Sequence, residues 1–148
     1  MFRVLEIAAG AGVHTAFFSQ KLVQAQIPFH YFPTDPEASS LASIQAYLEE
    51  DGLEQNDRNS SVLEHNGVNE PLTLTLTQDG IRESDTVEIL EKVEETMDLV
   101  ININMIHISP WSATLGLMKA AKQFLKPGGT LFIYGPYRVG GTCVESNL

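Results

Sequence analysis

The chain reads as an α/β protein built on a Rossmann-like, doubly wound and mainly parallel sheet of five strands in the order 3-2-1-4-5. Three observations carry that reading. Apolar segments of strand length alternate with amphipathic segments of helix length. The first strand runs into a small-residue loop, Ala8-Ala9-Gly10-Ala11-Gly12, that feeds a helix. Leu99 to Ile103 is nearly continuous apolar sequence, the mark of a parallel strand buried on both faces. With 148 residues and 43% apolar content, the chain has enough apolar surface for one core and is read as a single domain, residues 1–148.

Residues ~3–8 form the first strand, and Gly12 to about Gln24 a helix that offers Phe17, Phe18, Leu22 and Val23 to the core. A second strand fits ~28–33. Asp35-Pro36 then opens a helix with Leu41, Ile44 and Leu48 on one face, Asp being a good N-cap and Pro a good first residue. The polar, Asn/Asp/Ser/Gly-rich stretch from Asp51 to Glu70 reads as a loop.

Leu72, Leu74 and Leu76 alternate with Thr73, Thr75 and Thr77, a period of two that suits an edge strand. An acidic helix follows at ~84–96 with Val87, Leu90 and Val93 as its stripe. After the apolar fourth strand, Ser109-Pro110 caps a helix bearing Leu115, Met118, Ala121 and Leu125. Lys126-Pro127-Gly128-Gly129 stops that helix before a fifth strand from Thr130 to Tyr134.

The formal charge of −10 is concentrated: residues 49–98 hold fifteen acidic and three basic side chains. Such a surface repels phosphates, so no nucleic-acid substrate is expected, and the segment reads as a solvated face or as a docking site for a protein partner. No run of ~18 apolar residues and no basic-then-apolar leader is present, which points away from a membrane and to the cytoplasm, with the nucleus left open. The single cysteine, Cys143, supports neither a disulfide nor a metal site.

Four strand ends converge in such a sheet, and all four carry polar or aromatic residues: Glu6 to Gly12, Asp35, Asn104 to His107, and Tyr134 to Tyr137. Gly10 and Gly12 let the chain lie close to a ligand, at the start of a helix whose free N–H groups face it. Glu6 would repel a pyrophosphate, but it attracts a sulfonium or an amino group and accepts from ribose hydroxyls. The loop is therefore read as one for S-adenosylmethionine. Gly10, Gly12 and Thr15 also stand at dinucleotide spacing, with Thr15 in place of the third glycine, so an NAD-dependent oxidoreductase is the weaker alternative.

Taken together, Glu6-x-x-x-Gly10-x-Gly12, Asp35 and Leu125-Lys126-Pro127-Gly128-Gly129 resemble the class I S-adenosylmethionine-dependent methyltransferases. More narrowly, the chain from Val4 to Asn147 is similar to the methyltransferase-like twenty-six family. Leu5, Glu6, Ile7, Ala8, Gly10, Gly12 and His14 match its first loop, with Ala9 and Val13 in place of Ser and Gln. Pro33-Thr34-Asp35 stands for its Pro-Ser-Asp, and Ser43-Ile44 is kept. Asn104-Met105-Ile106-His107-Ile108-Ser109-Pro110 is its most specific motif, while Tyr134-Gly135-Pro136-Tyr137 and Ser146-Asn147 also correspond. Its strand-three Leu-Asp-Val is Leu74-Thr75-Leu76 here, which removes a carboxylate expected near the adenine. The resemblance also implies seven strands and a helix before the first, so the chain looks like a fragment, with Tyr134 left at a sheet edge.

The resemblance implies methyl transfer to a small-molecule or protein acceptor. Glu6, Ala8, Gly10, Gly12, His14, Asp35 and Asn104 are expected at the cofactor, and Trp111, Tyr134 and Tyr137 toward the acceptor. His107 is either a general base or a shaper of the entrance. Asp35 serves as ribose acceptor, helix cap or both; His14 is a carboxylate ligand or a surface histidine; Trp111 stacks on substrate or packs at a rim. The alternative, which the altered loop, the lost strand-three Asp and the acidic segment would mark, is a non-catalytic module of the same fold that binds a protein partner.

Overall fold

The computed structural model describes residues 1–51, 67–85, 89, 93 and 96–137. Val87, Leu90, Cys143, Ser146 and Asn147, with part of the acidic segment, lie outside the described residues. The elements are β1 (Phe2–Ile7), α1 (Val13–Gln24), β2 (Phe29–Asp35), α2 (Ala38–Asp51), β3 (Gly67–Val68), β4 (Leu72–Thr73), β5 (Leu76–Thr77), β6 (Gly80–Ile81), β7 (Met97–Ile103), α3 (Trp111–Phe124) and β8 (Leu125–Tyr134). The main sheet is parallel throughout, in the order β3-β2-β1-β7-β8, with β4 also pairing β2. This is the expected 3-2-1-4-5 order.

The third position departs from expectation. The edge opens at Gly67–Val68, inside the stretch read as a loop, and resumes at Leu72–Thr73. Leu76–Thr77 then leaves the sheet to pair antiparallel with Gly80–Ile81. The Leu/Thr alternation had merged two short pieces that share a period but not a sheet. Of the expected acidic helix, residues 83–85, 89 and 93 are helical, and Val93 is fully buried as anticipated.

Alternation along the strands divides the core into two layers. Val4, Phe29, Tyr31 and Ile101 meet Ile44 and Leu48 of α2 on one face, while Leu5, Ile7, Phe32 and Val100 meet Leu117 and Phe124 of α3 on the other. The buried stripe of α3 is Leu117, Ala120, Ala121 and Phe124; Leu115 and Met118, read as core, are exposed. In α1, Phe17 and Val23 are likewise exposed, and Thr15, Ala16 and Ser19 face inward instead. Small residues bring this helix close to the sheet, a signal that an apolar count overlooks.

The sheet's first-face surface beyond α1 is open. Leu99 and Ile101 of β7, Thr130 and Phe132 of β8, Phe18 and Leu22 of α1, and Ala25 just past its end line an apolar cavity of about 420 Å³. β8 pairs only with β7 among the described residues, and Tyr134 stands exposed at that edge. No helix of the described residues is long and apolar enough to cross a membrane.

Candidate functional site

From β1 the chain proceeds to β2 on one side, while β7 and β8 extend the sheet on the other, so the topological switch lies between the C-terminal ends of β1 and β7. Two residues there have positive φ. Ala8, just past β1, has φ 60°, and Asn104, just past β7, has φ 56°. Both are non-glycine residues in the left-handed region, uncommon for alanine and readily adopted by asparagine; Gln26, just past α1, is the third among the described residues. The β1–β7 ladder ends at Glu6 and Ile101. Beyond it the strands are joined by a side chain, the Asn102 amide donating from Nδ2 to Ile7 O at 2.9 Å.

The two loop glycines differ. A Cβ on Gly12 (φ 93°) would come within 2.9 Å of Ile44 Cα, so this glycine lets the start of α1 meet α2. A Cβ on Gly10 (φ 58°) would meet nothing within 4 Å. Gly10 is therefore the position at which the loop borders open space, and Gly12 is a packing position. Ser43 Oγ steadies the loop from α2 by donating to Ala11 O at 3.0 Å.

Asp35 ends β2 and grips the loop. Its Oδ2 accepts from Gly10 N at 2.9 Å, and its Oδ1 from Glu37 N at 3.0 Å, where α2 begins. The expected capping role is thus present, one residue pair ahead of the helix proper. Each carboxylate oxygen keeps a further lone pair for a ligand hydroxyl.

Glu6 does not face the cleft as expected. It is 1% exposed, and its Oε2 accepts from Thr15 Oγ1 at 2.6 Å and Tyr31 OH at 2.9 Å. Strand alternation decides this: Glu6 shares a face with Phe2 and Val4, beneath α1. Burial pushes its carboxyl above the usual range, outweighing both hydrogen bonds, and Asp35 adds to the rise. Burial, then Glu6 itself, pushes the Tyr31 phenol up strongly. Glu6 fastens β1, β2 and α1 together behind the loop.

On the far side of the cleft, Asn104 N donates to Tyr134 O at 2.9 Å, joining the ends of β7 and β8. A Cβ on Gly135 would lie 3.1 Å from Tyr137 OH and 3.5 Å from His107 Nδ1, so these residues form one group. Trp111, in the first turn of α3, is 69% exposed and packs into neither core layer. His14 stacks on Phe18 with centroids 6.4 Å apart, and both are half-buried. Ala8, Gly10, Asp35 and Asn104 thus stand at the C-terminal ends of β1, β2 and β7, and His107, Tyr134 and Tyr137 group near that of β8, with Glu6 withdrawn beneath α1.

Sequence reasoning missed two residues. Asn102 was hidden in an apolar strand, though a lone Asn in such a run is itself a signal. Asp85 accepts from Thr75 N at 2.9 Å, which returns a carboxylate to the end of the third strand where the lost Asp had been noted. Ser109 supplies no cap to α3; Pro110 occupies that position without a side-chain bond. Among the described residues no group of His, Cys, Asp and Glu is arranged to hold a metal.

The whole chain, residues 1–148, matches the sequence profile of a family described as "Protein of unknown function (DUF938)". Among solved structures it is similar to the DszA carbon methyltransferase, with TM-score 0.60 and 20% identity over 89% of this chain and 28% of that one. The citrinin polyketide synthase CMeT domain gives TM-score 0.59 at 16% identity with the same coverage. A SAM-dependent methyltransferase from Aquifex aeolicus gives 0.54 at 14% identity, over 99% of this chain and 64% of that one. At these identities the likeness establishes the fold. The chain spans less than a third of the first two proteins.

Proposed function

The chain belongs to the DUF938 family, and we propose that it is an S-adenosylmethionine-dependent methyltransferase acting on a small-molecule or protein acceptor. The observation that carries this reading is the pairing of Gly10 with Asp35 at the switch point: a left-handed glycine with open space above it, held by a carboxylate that has lone pairs to spare. A ribose bearing two adjacent hydroxyls matches that carboxylate, and the glycine leaves room for the nucleoside. The motif resemblance to the methyltransferase-like twenty-six family supports the same conclusion.

When bound, the cofactor supplies a methyl carbon on a sulfonium, which leaves as a neutral thioether. The protein's task is then chiefly to hold the acceptor in line with that carbon. Asp35 and Gly10 orient the nucleoside, Ala8 and Asn104 shape the floor, and Tyr134, Tyr137 and Trp111 offer aromatic surface to the acceptor. His107, beside Tyr137, takes the proton that the acceptor loses as its bond to carbon forms.

Calorimetric titration of the folded chain with S-adenosylhomocysteine and, separately, NADH tests the assignment. Binding of S-adenosylhomocysteine alone is the expected result. Competition by NADH would move the site to the oxidoreductases, and binding of neither would leave a non-catalytic module of the same fold.

A further inference from the structure

The two segments that meet beyond β7 and β8 carry no ionic pair partner for a ligand. Residues 104–112 and 134–137 hold no Asp, Glu, Lys or Arg, in a chain whose formal charge is −10. The bond from Asn104 N to Tyr134 O ties the segments together, and a turn closed by Ile108 N on Met105 O at 3.0 Å sets His107 ahead of α3. The surface they present is aromatic and bare. Trp111 is 69% exposed, Tyr134 61% and Tyr137 44%, and Ile108, next to His107 in the chain, is 77% exposed. Large apolar side chains gathered in the open at one end of a sheet mark a binding surface.

Polar function in this surface converges. A Cβ on Gly135 would stand 3.1 Å from Tyr137 OH and 3.5 Å from His107 Nδ1, so a phenol and an imidazole are turned to the same point. Partial burial pushes the Tyr137 phenol up, which keeps it protonated and uncharged. Resting on the methyltransferase reading, we infer that the methyl acceptor is a neutral phenol on a planar ring system, stacked against Trp111 with its hydroxyl directed at His107.

Each part of that description answers an observation. Aromatic faces favour a flat ring over a saturated one of the same size. A carboxylate or phosphate would lose hydration here and meet no opposite charge in either segment. An ammonium is attracted to aromatic faces, but it has no lone pair for a methyl group until its proton has gone. A phenol, with a pKa of about 10 as in tyrosine, lies within reach of an imidazole base, whereas an aliphatic alcohol of about the acidity of water does not. In the transfer the phenol oxygen forms its bond to the methyl carbon as the carbon–sulfur bond breaks. The electron pair of that bond stays on sulfur, and the hydroxyl proton passes to His107.

Trp111 is the only tryptophan of the chain, so one indole N–H resonance reports on it. At neutral pH 2-naphthol moves that resonance. The saturated decahydro-2-naphthol leaves it in place and binds about tenfold or more weakly by calorimetry. The methyl ether 2-methoxynaphthalene, which keeps the rings and has no proton to donate, binds about fivefold more weakly than 2-naphthol, and His107→Leu abolishes that preference. Trp111→Leu, a change at an exposed position, keeps the melting temperature and lowers 2-naphthol affinity about fivefold or more.

Equal binding of the planar and saturated alcohols, or tighter binding of cyclohexylmethylammonium than of 2-naphthol, overturns the assignment. So does a His107→Leu variant that still prefers 2-naphthol to its methyl ether. Titration with S-adenosylhomocysteine separates the two levels of the argument. A chain that binds S-adenosylhomocysteine but not 2-naphthol loses this inference and keeps the methyltransferase reading. One that binds 2-naphthol but not S-adenosylhomocysteine loses the reading, and the acceptor role with it.

Discussion

Asp35 Oδ2 accepts a hydrogen bond from Gly10 N at 2.9 Å, so the end of β2 holds the loop that follows β1. The same carboxylate receives Glu37 N, which makes Asp35 both a cap and a loop anchor. Asp35→Asn keeps one acceptor oxygen but loses the charge. Its affinity for S-adenosylhomocysteine falls at least tenfold by calorimetry, about 1.4 kcal/mol. Unfolding in urea shows a loss of about 1–2 kcal/mol for the weakened anchor. An unchanged affinity would remove Asp35 from the cofactor site.

Gly10 and Gly12 respond differently to the same substitution. Gly12→Ala brings a Cβ to 2.9 Å from Ile44 Cα at φ 93°, so α2 must shift; denaturant unfolding shows a loss of about 2–4 kcal/mol from strain and overpacking. Gly10→Ala meets open space and bears only the left-handed penalty, about 1–2 kcal/mol. Ligand affinity, however, falls in Gly10→Ala because the methyl enters the open space. If Gly12→Ala is the milder change in stability, the packing account of Gly12 is wrong.

The buried Glu6 carboxyl makes stability depend on pH. Its folded pKa is raised, chiefly by burial, so between the unfolded and folded values the native state binds more protons than the unfolded state. Stability from this group is therefore present at mildly acid pH and declines as pH rises through the folded pKa. Glu6→Gln keeps an acceptor for Thr15 and Tyr31 and removes the titration. A plot of melting temperature against pH from about 4.5 upward is flatter for Glu6→Gln than for wild type. Parallel curves would show that Glu6 does not titrate in this window.

Strand order and the β1 loop were legible in the sequence because they depend on local signals: apolar runs, small residues and turn punctuation. Side-chain destinations were less legible. Glu6 looked like a ligand group because it adjoins the loop, yet strand alternation sends it under α1 to Thr15 and Tyr31. The exposed Phe17 and Val23 looked like core, while Thr15 and Ser19 filled it, because helix–sheet distance is set by the smallest residues on the contact face. Asp85 reaching Thr75 depends on the β5–β6 hairpin, a long-range arrangement that no period encodes.

That hairpin rests closely on α3 at Gly116. A Cβ built on Gly116 would lie 2.2 Å from Thr77 O and 3.2 Å from Gly80 O, both rigid backbone atoms. Neither a rotamer change nor a side-chain shift relieves such a contact, so Gly116→Ala forces the hairpin off the helix. The substitution improves intrinsic helix propensity by about 1 kcal/mol, so any destabilisation measures the steric effect against an opposing gain. Overpacking of this kind costs about 1–3 kcal/mol or more, and the displaced hairpin also breaks the exposed Lys119–Asp79 pair, which contributes little. Net destabilisation in urea, with amide exchange accelerating first at residues 76–81, is the expected outcome. Exchange that quickens uniformly over the chain would show that the hairpin and α3 unfold as one unit with the sheet, and a more stable Gly116→Ala would contradict the close packing altogether.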